Sequence, residues 1–223
     1  METDDMKFEI APSLLSADFG FLVRDIKAVE ADCRYLHLDV MDGHYVNNIA
    51  IGVPVIASIR KYTDLIFDTH LMIDNPEKYV EAFAMAGSNI ITFHIECTDD
   101  PVGLVGKIRN LGCKAGIAIH PDTPIEALYP YVDACDLLLV MSVVPGFGGQ
   151  GYLESSDERI AALASKIKET GSNAILSVDG GIKTTTIKRA YDAGARLLVA
   201  GSAVFGKENP GEAVRELKFC ITQ

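Results

Sequence analysis

Residues 36–44 read Leu36-His37-Leu38-Asp39-Val40-Met41-Asp42-Gly43-His44. Apolar and polar side chains alternate here with a period of two, the repeat of a β-strand, so His37 and Asp39 project to one face. Burying an imidazole and a carboxylate on one side of an apolar strand is costly unless each finds a partner. A metal ion satisfies both at once. A core histidine hydrogen-bonded to a neighbouring acid is the plainer alternative.

Working outward, seven more apolar runs have strand length: Phe8–Ser13, Leu65–Met72, Ile90–His94, Lys114–Ile119, Leu137–Ser142, Ala174–Val178 and Leu197–Ala200. With Tyr35–Met41 they make eight. Between them lie the amphipathic segments Phe21–Ala31, Pro54–Lys61, Pro76–Ala86, Pro101–Leu111, Pro124–Tyr131, Ser156–Glu169, Thr185–Ala193 and Pro210–Thr222. Several carry Pro in the first turn, and several end in Ala-Gly or Leu-Gly, which are helix-start and helix-stop patterns. Alternating βα units imply an α/β protein with a parallel sheet. Eight such units in 223 residues predict a single-domain (β/α)8 TIM barrel spanning 1–223, with a doubly wound open sheet as the alternative.

Composition bounds the partners. The chain is 48% hydrophobic, enough for a large core, and 20 basic against 31 acidic residues give a net charge of −11. An acidic chain is a poor general binder of nucleic acid or of anionic membranes, so neither partner is expected. The five cysteines show no CxxC spacing and lie mostly in or beside apolar segments, as reduced core thiols do. The opening Met1-Glu2-Thr3-Asp4-Asp5 is acidic and has no basic n-region with an apolar follower, and no apolar run is long enough to span a bilayer. A cytoplasmic protein is the expectation.

In a barrel, functional residues gather at the C-terminal ends of the strands. The run Leu65-Ile66-Phe67-Asp68-Thr69-His70-Leu71-Met72 places Asp68, His70 and Met72 on one face, and another strand ends in Asp179-Gly180-Gly181. His37, Asp39, His70 and Asp179 thus meet at the mouth, a donor set suited to Zn, Fe, Mn or Co. Taken singly, His70 reads as an ordinary core histidine and Asp179 as a turn residue. The strands of Asp39 and Asp179 are three places apart in the ring, so the two carboxylates can flank a substrate. One can remove a proton and the other return one to the opposite face, inverting a C–H centre beside a carbonyl, with a metal steadying the enediolate between the two steps. Three glycine-bearing segments, 141–150, 180–181 and 200–205, follow consecutive strands and suit a phosphate held by backbone N–H groups, the last of them at the start of a short helix. They contain no Arg, and only Lys183 is near. Tight turns are the plainer reading of each loop alone.

These segments, together with Ala11-Pro12-Ser13-Leu14-Leu15-Ser16-Ala17-Asp18-Phe19, His70-Leu71-Met72 and Phe93-His94-Ile95-Glu96, make the chain resemble the ribulose-phosphate 3-epimerase family from about Ile10 to Pro210. The resemblance implies a ribulose-phosphate-binding barrel that interconverts D-ribulose 5-phosphate and D-xylulose 5-phosphate. It implies one divalent metal ion on His37, Asp39, His70 and Asp179, with Asp39 and Asp179 as the catalytic acid/base pair. Ser13 and His70 would contact the ketose phosphate. Gly146, Phe147, Gly148, Gly149, Gly180, Gly181, Gly201 and Ser202 would hold its phosphate. Met41, Met72 and Met141 resemble an apolar cap, although on pattern alone they read as core packing. A homo-oligomer is also implied. Asn47, Val53, His120 and Val144 depart from the family's usual residues, and the last two leave D-allulose 6-phosphate open as the substrate. A sugar-phosphate-binding barrel without turnover is a further alternative, though binding alone needs no opposed carboxylates. His94 and Glu96 share a strand face as partners of the site or as a plain buried pair. The Tyr45–Ala50 loop is expected to fold over the substrate.

Overall fold

The computed structural model describes residues 8–223; the reading of the first five residues lies outside them. In chain order the elements are β1 (Glu9–Pro12), α1 (Leu22–Val29), β2 (Tyr35–Asp42), β3 (Ile49–Ala50), α2 (Val53–Ile59), β4 (Ile66–Met72), α3 (Pro76–Met85) and β5 (Ile90–His94). They continue with α4 (Pro101–Asn110), β6 (Lys114–Ile119), β7 (Leu137–Met141), α5 (Ser156–Thr170), β8 (Ile175–Asp179), α6 (Ile187–Ala193), β9 (Leu197–Ala200), α7 (Ser202–Phe205) and α8 (Pro210–Thr222).

The helices begin and end where local chemistry requires. Proline opens α3, α4 and α8, where its missing N–H costs nothing. The Asp100 and Asn209 side chains accept from the backbone N–H of Gly103 and Glu212 and so cap α4 and α8. Gly171 ends α5 in the left-handed conformation, at φ 71°.

Eight strands run parallel in the order β1-β9-β8-β7-β6-β5-β4-β2. The ring closes between β1 and β2 through a parallel bridge from Ser13 to His37. Side chains then sort by parity. Ala11, Tyr35, Ile90, Leu137, Leu139, Leu197 and Val199 fill the barrel interior, while Leu36, Leu38, Phe67, Leu71, Ile91 and Phe93 belong to the layer between strands and helices. Parallel register sets Asp39 beside His70 and Met41 beside Met72 on neighbouring strands, and it sets Met141 beside Asp179. The mouth is therefore assembled row by row. Cys33, Cys113 and Cys135 are buried, Cys97 and Cys220 half-buried, and all five are free thiols. Among the described residues no helix is long and apolar enough to cross a membrane.

Two details differ from the sequence-based expectation. Residues Ile125–Tyr131 form a 3₁₀ segment rather than an α-helix, because Pro130 inside it can neither donate nor fit the preceding turn of an α-helix. The short strand β3 pairs antiparallel with the end of β2, through Met41–Ala50 and Asp42–Ile49, and folds the following loop back toward the mouth. The short helix expected after β9 is present as a single turn, Ser202–Phe205.

Phe67 is fully buried in the outer layer, whereas Phe219 is 61% exposed. Phe67→Ala is expected to cost about 3–5 kcal/mol in a urea titration. Phe219→Ala should stay within about 0.5 kcal/mol of the parent. Equal losses would contradict this layering.

Candidate active site

The mouth of the barrel holds a cavity of about 230 Å³. At its floor, one atom from each of His37, Asp39, His70 and Asp179 lies within 4.8 Å of the other three. His37 Nε2 is 3.3 Å from Asp39 Oδ1, 3.7 Å from Asp179 Oδ2 and 3.4 Å from His70 Nδ1. His70 Nδ1 is 3.4 Å from Asp39 Oδ1 and 3.8 Å from Asp179 Oδ2. A tetrahedral ion with bonds of about 2.0–2.1 Å has ligand-to-ligand edges of about 3.3–3.4 Å. The five separations given, 3.3–3.8 Å, are close to such edges. Two carboxylates and two imidazoles are also the donor types such an ion takes.

Each side chain is held from behind. Ser13 Oγ, at the end of β1, donates to Asp39 Oδ2 at 2.6 Å, which leaves Oδ1 for the cluster. His37 Nδ1 meets Asp68 Oδ2 at 2.8 Å, a bond that turns Nε2 toward the cavity. His70 faces the cluster with Nδ1, and its Nε2 lies 2.9 Å from Nε2 of His94. His94 Nδ1 in turn meets Tyr45 Oη at 2.8 Å and Glu96 Oε2 at 3.3 Å. Asp68 shows its face in the sequence but not its partner, because the β2–β4 register sets His37 beside it. Tyr45 reaches His94 from the loop after β2, and no local pattern marks that contact.

The two carboxylates differ in charge preference. Burial pushes Asp39 up, but His37 and His70 outweigh it and hold the group well below the ordinary carboxylate range. Burial and the neighbouring Asp39 charge raise Asp179 to about 6. By the protein's own charges, one acid is ionised and the other is poised to keep a proton. A bound divalent ion would lower both. Burial pushes His94 down to about 4 in spite of Glu96, so its ring is neutral. Glu96 falls to about 2 because its bonds with His94, Thr123 and the His120 N–H overcome its burial.

The cavity wall contains Ser13, Asp39, Met41, Met72, Met141, Gly146, Phe147, Gly148, Gly149, Asp179, Gly180, Gly181, Gly201 and Ser202. His37 and His70 are fully buried beneath it. Ser16 and Lys183 also line it, and sequence reasoning gave neither a role. Lys183 is the one Lys or Arg in the lining, at the glycine-rich end. Ser142 Oγ donates to the carbonyls of Asp179 and Gly180 and fixes that turn. Gly181 has φ +63°, and a Cβ there would lie 2.5 Å from the Tyr152 nitrogen, so no side chain fits. Asn48 Nδ2 donates to the Gly146 carbonyl at 2.8 Å, tying the loop after β2 to the loop after β7 across the cavity. His120 and Val144 are absent from the wall. His120 instead gives its backbone N–H to Glu96 Oε1.

Residues 9–205 match the model of the ribulose-phosphate 3 epimerase family. The chain is 45% identical over 212 residues to the ribulose-phosphate 3-epimerase of Mycobacterium tuberculosis, covering 94% of this chain and 91% of that one. It is 42% identical over 214 residues to the ribulose-phosphate 3-epimerase of Bacillus subtilis, covering 94% and 98%. Among solved structures it resembles KGPDC from Streptococcus mutans, with a TM-score of 0.72, 15% identity and coverage of 96% and 97%. That likeness shows the barrel fold.

Asp179 makes a pH-dependent contribution to stability. Its folded value of about 6 lies above the ordinary 3.8, so the folded chain keeps a proton that the unfolded chain releases. This contribution is present below the unfolded value and lost as pH rises through the folded one. In chelator-treated protein, Asp179→Asn should therefore gain thermal stability over the parent between about pH 4 and about pH 7. A difference that shrinks as the pH rises would refute the assignment.

Proposed function

The chain belongs to the ribulose-phosphate 3-epimerase family, and from that premise we propose that its barrel mouth inverts C3 of D-ribulose 5-phosphate by proton transfer between Asp39 and Asp179. The observation that carries this reading is that the Asp39 and Asp179 carboxylates converge with His37 and His70 at the floor of one small cavity. An ionised Asp39 is ready to take the C3 proton. Asp179 delivers a proton from its own side, and the two roles exchange in the reverse reaction. The Ser13 hydroxyl, bonded to Asp39 Oδ2, orients the base.

His37, Asp39, His70 and Asp179 would hold one divalent ion, whether Zn, Fe, Mn or Co. Such an ion supplies positive charge to the ketose oxygens on which negative charge develops. The spacing of the four donor atoms supports this placement. Met41, Met72 and Met141, all nearly fully buried at the wall, exclude water from the reacting carbon. At the other end, the backbone at Gly146–Gly149, Gly180–Gly181 and Gly201–Ser202 would take the phosphate, with Lys183 beside it. The five-carbon sugar is favoured because the departures at His120 and Val144 lie outside the wall and the curated relatives are ribulose-phosphate 3-epimerases.

Asp39→Asn and Asp179→Asn should each lower kcat by about 10²–10⁴ while circular dichroism stays unchanged. Exchange of the C3 proton in D₂O, followed by NMR, should fall with it. Near-normal turnover in either variant would exclude the two-base route. Strong chelation should abolish activity, and Zn²⁺, Mn²⁺ or Co²⁺ should restore it. Full activity after exhaustive removal of metal would exclude the ion.

A further inference from the structure

We propose that His94 is a positioning residue: with Glu96 and Tyr45 it sets the proton on His70 to Nε2, so that the Nδ1 lone pair is the one presented to the ion. The proposal rests on the metal reading above and adds residues to which that reading gave no role.

One chain of donors and acceptors runs from Glu96 at the surface, past half-buried Tyr45, to the fully buried rings of His94 and His70. Glu96 Oε2 lies 3.3 Å from His94 Nδ1 and 3.4 Å from Tyr45 Oη, while its Oε1 accepts the His120 N–H at 2.9 Å. A carboxylate only accepts. A neutral His94 beside it is best satisfied with its proton on Nδ1, directed at Glu96 and at Tyr45 Oη 2.8 Å away. His94 Nε2 is then a bare acceptor. The atom facing it at 2.9 Å is His70 Nε2, which must donate. His70 has one proton when neutral, so its Nδ1 is left bare, 3.4 Å from Asp39 Oδ1. The reverse ordering would set the lone pair of His94 Nδ1 against the Glu96 carboxylate and draw the Tyr45 hydroxyl proton away from Glu96, so that the acid loses both donors at Oε2.

The chosen ordering has a consequence at the cluster. With the ion bound, it leaves the lone pairs of His70 Nδ1 and Asp39 Oδ1 both directed at the cation rather than sharing a proton between them. The proton order is thus set at Glu96, two rings away from the site. His37 has the shorter version of the same arrangement, with Asp68 directly behind its Nδ1. A carboxylate behind a ligating imidazole fixes its tautomer and raises its basicity. Here one imidazole has the carboxylate in contact, and the other has it through a second imidazole.

Two measurements test this. Imidazole ¹⁵N–¹H spectra of the Zn²⁺-loaded full chain report which nitrogen of each ring carries the proton, with no mutation needed. His94 is expected as the Nδ1–H form and His70 as the Nε2–H form. The second measurement is Zn²⁺ affinity by competition with a chromophoric chelator, for the parent, Glu96→Gln and Tyr45→Phe. A glutamine amide can donate to His94 Nδ1 and release the order. Glu96→Gln should therefore bind Zn²⁺ about 10–100-fold more weakly, with the melting temperature of the chelated protein unchanged. Tyr45→Phe keeps the acceptor at Glu96, so it should keep the His94 proton on Nδ1 and lose less affinity than Glu96→Gln. A parent that binds Zn²⁺ with the His94 proton on Nε2 overturns the relay alone. So does Glu96→Gln with parental affinity. A parent that binds no Zn²⁺ overturns the metal reading and the relay with it.

Discussion

Four ionisable side chains at one end of a barrel interior, three buried and one half-buried, are the constraint that the rest of the mouth obeys. Moving a carboxylate out of water costs far more than a neutral group does, and a chain can bear two of them only if their surroundings return the lost solvation. His37 and His70 do part of this for Asp39. Asp68, Ser13 and His94 then hold those groups so that their free atoms converge rather than turn away. The barrel supplies rows at fixed spacing, and the register of β2 against β4 decides which polar side chain stands beside which.

Much of this was legible in the sequence because its cause is local. The eight strands and most of the helices announce themselves by period, by proline at helix starts and by glycine at helix ends. His37, Asp39 and His70 stand out because two-residue spacing puts polar groups on one face of apolar strands. What escaped has a cause that is not local. Asp68 reads as one more inward acid until strand pairing places it against His37. Tyr45 sits in a loop, and its contact with His94 depends on how β3 folds that loop back. The segment around Pro130 kept an amphipathic pattern while its backbone chemistry forbade an α-helix. The two substitutions that left the sugar open, His120 and Val144, lie close to the mouth in sequence but outside the cavity wall in space.

The glycine-rich end shows the same division. Composition marks where the backbone is laid bare, but not which position tolerates no change. Gly181 is fixed by the Tyr152 backbone, which arrives from the loop after β7. Ser142 adds a second constraint by bonding two carbonyls of the same turn. That turn is therefore held in place by the fold's own contacts.

The closure of the ring gives the fold an uneven mechanical character. Neighbouring strands elsewhere are joined along several residues, but β1 meets β2 through the single bridge from Ser13 to His37. The Ser13 hydroxyl adds one stitch across the same seam, to Asp39. The joint with the fewest paired residues in the wall of the barrel is thus also the place where Asp39 and His37 sit. A guest that grips residues on both sides of that joint acts as a hoop around a stave barrel, and the vessel is stiffest when it is full.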